Sequence, residues 1–241
     1  MNVAYRKRLY DSYVQSHLST VELESRLKIR APFLCKLVNN HFPTDRNARI
    51  LELGCGYGAL IHYVLAHGYT NIKGVDVSPE QVAGAKQLGI PGVVQGDLFE
   101  TLKDMEDNSL DAVITIDVIE HLSKDELIRF TDEVFRVLNT DGRWISHQPN
   151  AASPFFGRIR YGDLTHEAAY TAESIRQLVL AIGFADIKCY EDVPIVHGMM
   201  SFVRWVLWFV LRGGLRAYLV IESGISDELF SQNFLSVAKK A

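Results

Sequence analysis

Glu52, Gly54, Gly56 and Gly58 fall at the end of an apolar run, Ile50-Leu51-Glu52-Leu53-Gly54-Cys55-Gly56-Tyr57-Gly58-Ala59-Leu60. A strand that climbs into alternating glycines and then opens a helix lets backbone press against a small cofactor. A side chain at these turns would clash with the ligand and resist the positive φ angles of a sharp exit from a strand. Single acids follow other apolar runs at Asp76, Asp97 and Asp117, and Asp117-Val118-Ile119-Glu120-His121-Leu122 adds a histidine. Acids at the carboxyl ends of strands stand where open α/β sheets bind ligands, and histidine is the side chain that titrates nearest neutral pH. By spacing alone, Gly54, Gly56 and Ala59 also satisfy the dinucleotide pattern G-x-G-x-x-G/A, with Asp76 at ribose distance, so a nicotinamide-dependent oxidoreductase stays open at this point.

Five motifs in register favour a different cofactor. Glu52-Leu53-Gly54-Cys55-Gly56-Tyr57-Gly58 resembles the first motif of class I S-adenosylmethionine-dependent methyltransferases, with its acid two places before the first glycine. Gly74-Val75-Asp76-Val77-Ser78 resembles the acidic end of their second strand and Gly96-Asp97-Leu98 that of the third. Asp111 to Asp117 resembles the fourth strand, and Phe135 to Gly142 the helix and turn before the fifth. The resemblance runs from Arg49 to Phe184. It implies that Glu52, Gly54, Gly56, Asp76, Val77, Asp97, Leu98 and Asp117 hold S-adenosylmethionine, with S-adenosylhomocysteine as product. Asp76 would accept both ribose hydroxyls, Asp97 would accept from the adenine amino group with Leu98 against the ring, and Glu52 would orient the loop or reach the methionine amino group indirectly. Surface-polysaccharide, glycolipid and quinone O-methyltransferases are the members it is most similar to.

Asp117-x-x-Glu120-His121 resembles an element of such small-molecule enzymes. Methyl transfer to a hydroxyl needs the acceptor oxygen in line behind the methyl carbon and a group to take its proton. His121 is the first candidate base, and the alternative is a histidine that only positions the loop. His166, in Asp163-Leu164-Thr165-His166-Glu167, is the second. A divalent cation on Asp117, Glu120 and His121 with His147 or His166 would lower a hydroxyl's pKa. Relatives that do this carry Glu-x-x-Glu-His-His, whereas this chain has Asp117 and Leu122 at the ends, so no metal is expected. Arg158 and Arg160 suit an anionic acceptor unless they are merely solvated, and Tyr161 and Tyr170 complete the candidate acceptor residues.

The elements that must position these residues alternate from Arg49 onward. Strands are expected at 49–54, 72–77, 92–95, 111–116 and 143–148, and helices at 58–67, 79–88, 98–105, 123–138 and 171–182. That alternation implies an α/β, Rossmann-like sheet with helices on both faces. The resemblance sets it at seven strands in the order 3-2-1-4-5-7-6, the last, Asn233 to Ala238, antiparallel. The 241 residues are read as a single methyltransferase domain, with an N-terminal helical cap over 1–47 and insertions at 149–170 and 194–228. Tyr5, Tyr10, Tyr13 and His17 are candidates for a lid over the cleft or for packing at its margin.

At 48% hydrophobic and 22% charged residues and a net charge of -4, the chain reads as ordinary globular protein, which argues against a nucleic-acid partner and disorder. Cys35, Cys55 and Cys189 lack metal or disulfide spacing and suit a reducing cytoplasm. Met199 to Arg212 is apolar but interrupted by arginine and too short to span a bilayer. Arg204, Trp208, Arg212 and Arg216 share one arc, opposite Phe202, Val203, Val206, Leu207 and Val210. This pattern fits peripheral membrane contact through 199–216, or a helix that completes the core or a dimer contact. The sequence reading is an O-methyltransferase acting on a small-molecule or lipid-linked glycan, in the cytoplasm or at the inner face of the membrane. Quinone methylation and a non-catalytic scaffold are the competitors; oligomeric state stays open.

Overall fold

A computed structural model describes residues 20–241. The proposed lid tyrosines and His17 lie outside the described residues, as does the first part of the N-terminal cap. In chain order the elements are α1 (Thr20–His41), β1 (Ile50–Leu53), α2 (Ala59–Ala66), β2 (Ile72–Asp76), α3 (Pro79–Gln87), β3 (Val93–Gln95), α4 (Leu98–Lys103) and β4 (Leu110–Ile116). After a 3-10 turn (Ile119–His121) come α5 (Lys124–Val137), β5 (Leu138–Pro149), α6 (Phe156–Arg160), α7 (Ala172–Ile182), β6 (Asp186–Glu191), α8 (Met199–Ser223) and β7 (Asn233–Lys239). The seven strands form one sheet in the order β3-β2-β1-β4-β5-β7-β6. All neighbours are parallel up to β5, and β7 runs antiparallel to both β5 and β6.

Local chemistry sets the starts of the helices. Ser78 accepts from the Gln81 amide with Pro79 in the first turn of α3, Ser123 and Glu126 form a reciprocal capping box on α5, and Thr171 does the same with Ser174 on α7. The sheet then buries both faces. Leu34, Leu60, Ile61 and Val64 from α1 and α2 cover one side, and Phe130, Val134 and Val179 from α5 and α7 cover the other with Trp144 and Phe184. Buried Trp144 gives its indole N–H to Thr115 Oγ1 at 3.0 Å, so the polar atom costs little there.

Two expectations need correction. β5 starts at Leu138 rather than near 143, because the turn around Asp141 and Gly142 is absorbed as a register shift against β4 between Leu110 and Ala112. The aliphatic side of the 199–216 helix does not complete the core. Ser201, Trp208, Arg212, Leu215 and Leu219 form the inward stripe of α8, and Arg212 Nε meets Glu191 Oε2 on β6 at 2.5 Å. Phe202, Val203, Val206, Leu207 and Val210 face outward. Among the described residues no helix is long and apolar enough to cross a membrane.

Candidate active site

The glycine turn, the end of β4 and the returning first insertion meet at the carboxyl edge of the sheet. Gly54, Gly56 and Gly58 have φ of 71°, 54° and 77°, the left-handed region that glycine enters without strain. A Cβ on Gly54 would stand 2.5 Å from Val118 Cγ2, so the turn sits directly against the segment that leads into His121. Asp76 closes the turn from β2: its Oδ2 accepts from the Gly56 amide at 2.7 Å and its Oδ1 from Ser78 at 2.9 Å. Asp97 caps α4 through Oδ1, which accepts from Phe99 and Glu100.

Glu52 is buried within β1, and its Oε2 has no hydrogen-bond partner among the described residues. Burial pushes its carboxyl up to about 8, with Arg30 opposing and Asp76 adding to the rise. A buried acceptor beside a glycine turn is a place for a donor that the chain does not supply, which suits the amino group of a bound amino-acid moiety. Asp76 keeps lone pairs beyond those its two amides use. The turn therefore fits S-adenosylmethionine, with Glu52, Gly54, Gly56 and Asp76 as the residues that would hold it. Arg30 of α1 is a cation near both Glu52 and Asp117; nothing in its sequence context marks it.

Asp117 stands at φ 55°, a position few residues other than glycine adopt. His147 holds it there, with Nδ1 2.8 Å from Asp117 Oδ1 and Nε2 3.6 Å from Asp192 Oδ2. Burial opposes the charge on His147, but the hydrogen bond to Asp117 and the nearby charges of Asp117 and Asp192 raise its pKa to about 9. Burial likewise opposes ionisation of Asp117, and the hydrogen bond and charge of His147 still keep that carboxyl below the usual range. Because the folded-state pKa of His147 is raised, its contribution to stability is complete below about 6.5, the ordinary value, and is lost as pH rises through about 9. We expect His147→Gln to destabilise the fold at pH 6 in denaturant titrations and the gap from wild type to close toward pH 10. A gap independent of pH would remove the ion pair from this account.

The two candidate bases, 45 positions apart in the chain, stand together. The Glu120 carbonyl accepts from the amides of Glu167 and Ala168, which seats the returning insertion on the turn after β4. The rings of His121 and His166 then lie 4.8 Å apart between centroids. Thr165 Oγ1 donates to Asp163 Oδ1 at 2.6 Å, so it receives from His121 Nδ1 at 2.9 Å, and the His121 lone pair is placed on Nε2. His166 Nδ1 faces the Ile159 carbonyl at 3.1 Å, which sets the same tautomer. Burial, then the neighbouring His166, lowers the His121 pKa, so its imidazole is neutral at physiological pH. Burial and the charge of Asp117 hold the Glu120 carboxyl well above its ordinary value at the base of the pair. Glu120, His121 and His166 each offer a ligand atom within 4.8 Å of the others, the only such group of three among the described residues; Asp117 is engaged with His147 instead.

Other candidate acceptor residues divide. Arg160 donates to the backbone carbonyls of His166 and Glu167 and thereby pins the segment that carries His166. Tyr170 does not line a loop but is buried in the core, with its hydroxyl directed to the Ile119 carbonyl. Arg158 and Tyr161 are exposed on and just after α6. Val77 is exposed beside Asp76, and Leu98 is half-buried beside Asp97.

The fold and turn are those of an α/β cofactor-binding domain. Residues 51–146 match a family model described as a methyltransferase domain. A SAM-dependent methyltransferase from Archaeoglobus fulgidus is similar over 97% of this chain and 99% of its own, with a TM-score of 0.62 at 21% identity. Among curated proteins, the cyclopropane-fatty-acyl-phospholipid synthase of Escherichia coli is 23% identical over 58% of this chain and 36% of its own length. Norajmaline N-methyltransferase of Rauvolfia serpentina is 32% identical over 39% of this chain and 34% of its own. The chain thus spans about a third of the length of the curated relatives it matches. A methyltransferase-domain model thus matches residues 51–146, and the fold is that of a solved SAM-dependent methyltransferase. The cofactor that goes with this domain is S-adenosylmethionine.

Proposed function

We propose that the chain transfers the methyl group of S-adenosylmethionine to a hydroxyl oxygen of a sugar or glycolipid, as in surface-polysaccharide assembly. The observation that carries this reading is the His121–His166 pair, seated one short turn beyond Val118 and so beside the glycine turn. The cofactor supplies a methyl group on a positively charged sulfur. What the chain must add is a way to take the acceptor's proton as the oxygen acquires the methyl group, and neutral His121 with its lone pair on Nε2 does this. The Asp163–Thr165 pair fixes the ring and stabilises the imidazolium that results. An acceptor with a lipid portion is favoured by the outward apolar face of α8, and one relative, by its name, acts on phospholipid acyl chains.

Labelled methyl groups from S-adenosylmethionine, offered with host extract, test the acceptor class. Label is expected in the organic-extractable or polysaccharide fraction, and Asp76→Ala should lose it. Label confined to soluble, unglycosylated small molecules would overturn the glycan reading while leaving methyl transfer intact.

A further inference from the structure

The apolar side of α8 has no covering element among the described residues. Thirteen large apolar side chains of this helix are at least 36% exposed, Met199 at 84% and Ile221 at 86% among them. Apolar residues scattered singly over a surface need no partner, but a contiguous face of this size does. The opposite side is fixed to the fold by the inward stripe that includes Trp208 and Arg212, and the Arg212–Glu191 pair holds the helix to β6. The outward face is therefore presented by a docked helix rather than by one that has swung away from its seat.

Charge identifies the occupant. From Met199 to Ile221 the helix contains Arg204, Arg212 and Arg216 and no acid, in a chain whose net charge is -4. With about 100° of turn per residue, exposed Arg204 and Arg216 leave on opposite sides of the inward stripe, at the borders of the apolar face. Arginines at such borders reach headgroups while the apolar side chains between them enter the acyl region. Phe202, Trp205 and Phe209 form a row of neighbouring rings on one flank, with centroids 6.1 Å and 4.7 Å apart, and tryptophan favours the headgroup level. Two copies joined through this face would bring arginines from both helices together with no acid on either before Glu222.

We infer that α8 is a membrane-docking helix that lies flat on an anionic lipid surface. The inference rests on the helix alone and not on the methyl-transfer reading. At 25 residues α8 is about 37 Å long, enough to lie along the interface.

The full chain should be sedimented with vesicles of phosphatidylcholine alone and with vesicles containing phosphatidylglycerol, without cofactor or acceptor, so that failure of methyl transfer does not bear on the result. Binding to the anionic vesicles is expected. Val206→Glu with Val210→Glu should lower it by on the order of tenfold or more, and Arg204→Gln and Arg216→Gln by roughly fivefold each, all with an unchanged thermal midpoint. Absence of vesicle binding by wild type would overturn the inference. So would a dimer in solution that Val206→Glu with Val210→Glu dissociates while vesicle binding is absent, since the face would then serve a second copy.

Discussion

His121→Ala is expected to lower the turnover number for methyl transfer by about 10²- to 10⁴-fold, the usual worth of a positioned general base, with S-adenosylmethionine affinity changed little. The ring stands beyond the glycine turn and is fixed through Thr165 rather than through any residue expected to hold the cofactor. Its lowered pKa puts the neutral form in excess at pH 7, so the wild-type rate should fall on acidification as His121 is protonated, and the variant should lose that limb of the profile. Thr165→Val keeps the ring and the Thr165 carbonyl 3.3 Å from Nδ1 but removes the nearer hydroxyl acceptor of Nδ1–H. A smaller loss there, with the acidic limb displaced, separates a base from a histidine that only fills space. An unaltered rate in His121→Ala would indicate an acceptor that needs no deprotonation, such as a phosphate or carboxylate.

Gly54→Ala is expected to abolish measurable cofactor binding and to destabilise the fold by about 2–5 kcal/mol. The left-handed backbone costs an alanine roughly 1–2 kcal/mol, and a Cβ 2.5 Å from Val118 Cγ2 adds an overpacking cost of about 1–3 kcal/mol. Relief of that clash requires Val118 to move, and with it the turn that carries Glu120 and His121. Chemical denaturation and calorimetric titration with S-adenosylmethionine read the two effects separately. Gly213→Ala is the control: it lies in α8 with open space where a Cβ would stand. A Gly54→Ala protein of wild-type stability and affinity would show that the turn neither needs its positive φ nor touches ligand.

Much of this was legible in the sequence where cause and effect are close along the chain. A capping box is two residues reading each other across one turn, so Ser123 and Glu126 announce the start of α5. The glycines at 54 and 56 and the acid at 76 belong to one strand-turn-helix-strand unit, whose carboxylate does reach back to the Gly56 amide. The strand order came from resemblance and is the order observed.

What the sequence hid depends on long returns of the chain. That His121 and His166 stand as a pair follows from two amides of the insertion on the Glu120 carbonyl, a contact without a compositional mark. Arg160 and Arg158 look alike in sequence, yet only Arg160 meets the carbonyls at 166 and 167. In α8 the periodicity separated the two arcs correctly, but periodicity has no knowledge of which arc meets the protein. The Glu191 carboxylate on β6 decides it by pairing with Arg212.

The glycine turn with Glu52 and Asp76 is expected to hold S-adenosylmethionine. Calorimetric titration of the purified chain with S-adenosylmethionine, beside a parallel titration with NADH, tests it most directly. Saturable one-to-one binding of S-adenosylmethionine, greatly weakened in Asp76→Ala, together with no NADH binding, is the result predicted. Binding of NADH without S-adenosylmethionine, or S-adenosylmethionine affinity untouched by Asp76→Ala, would contradict it.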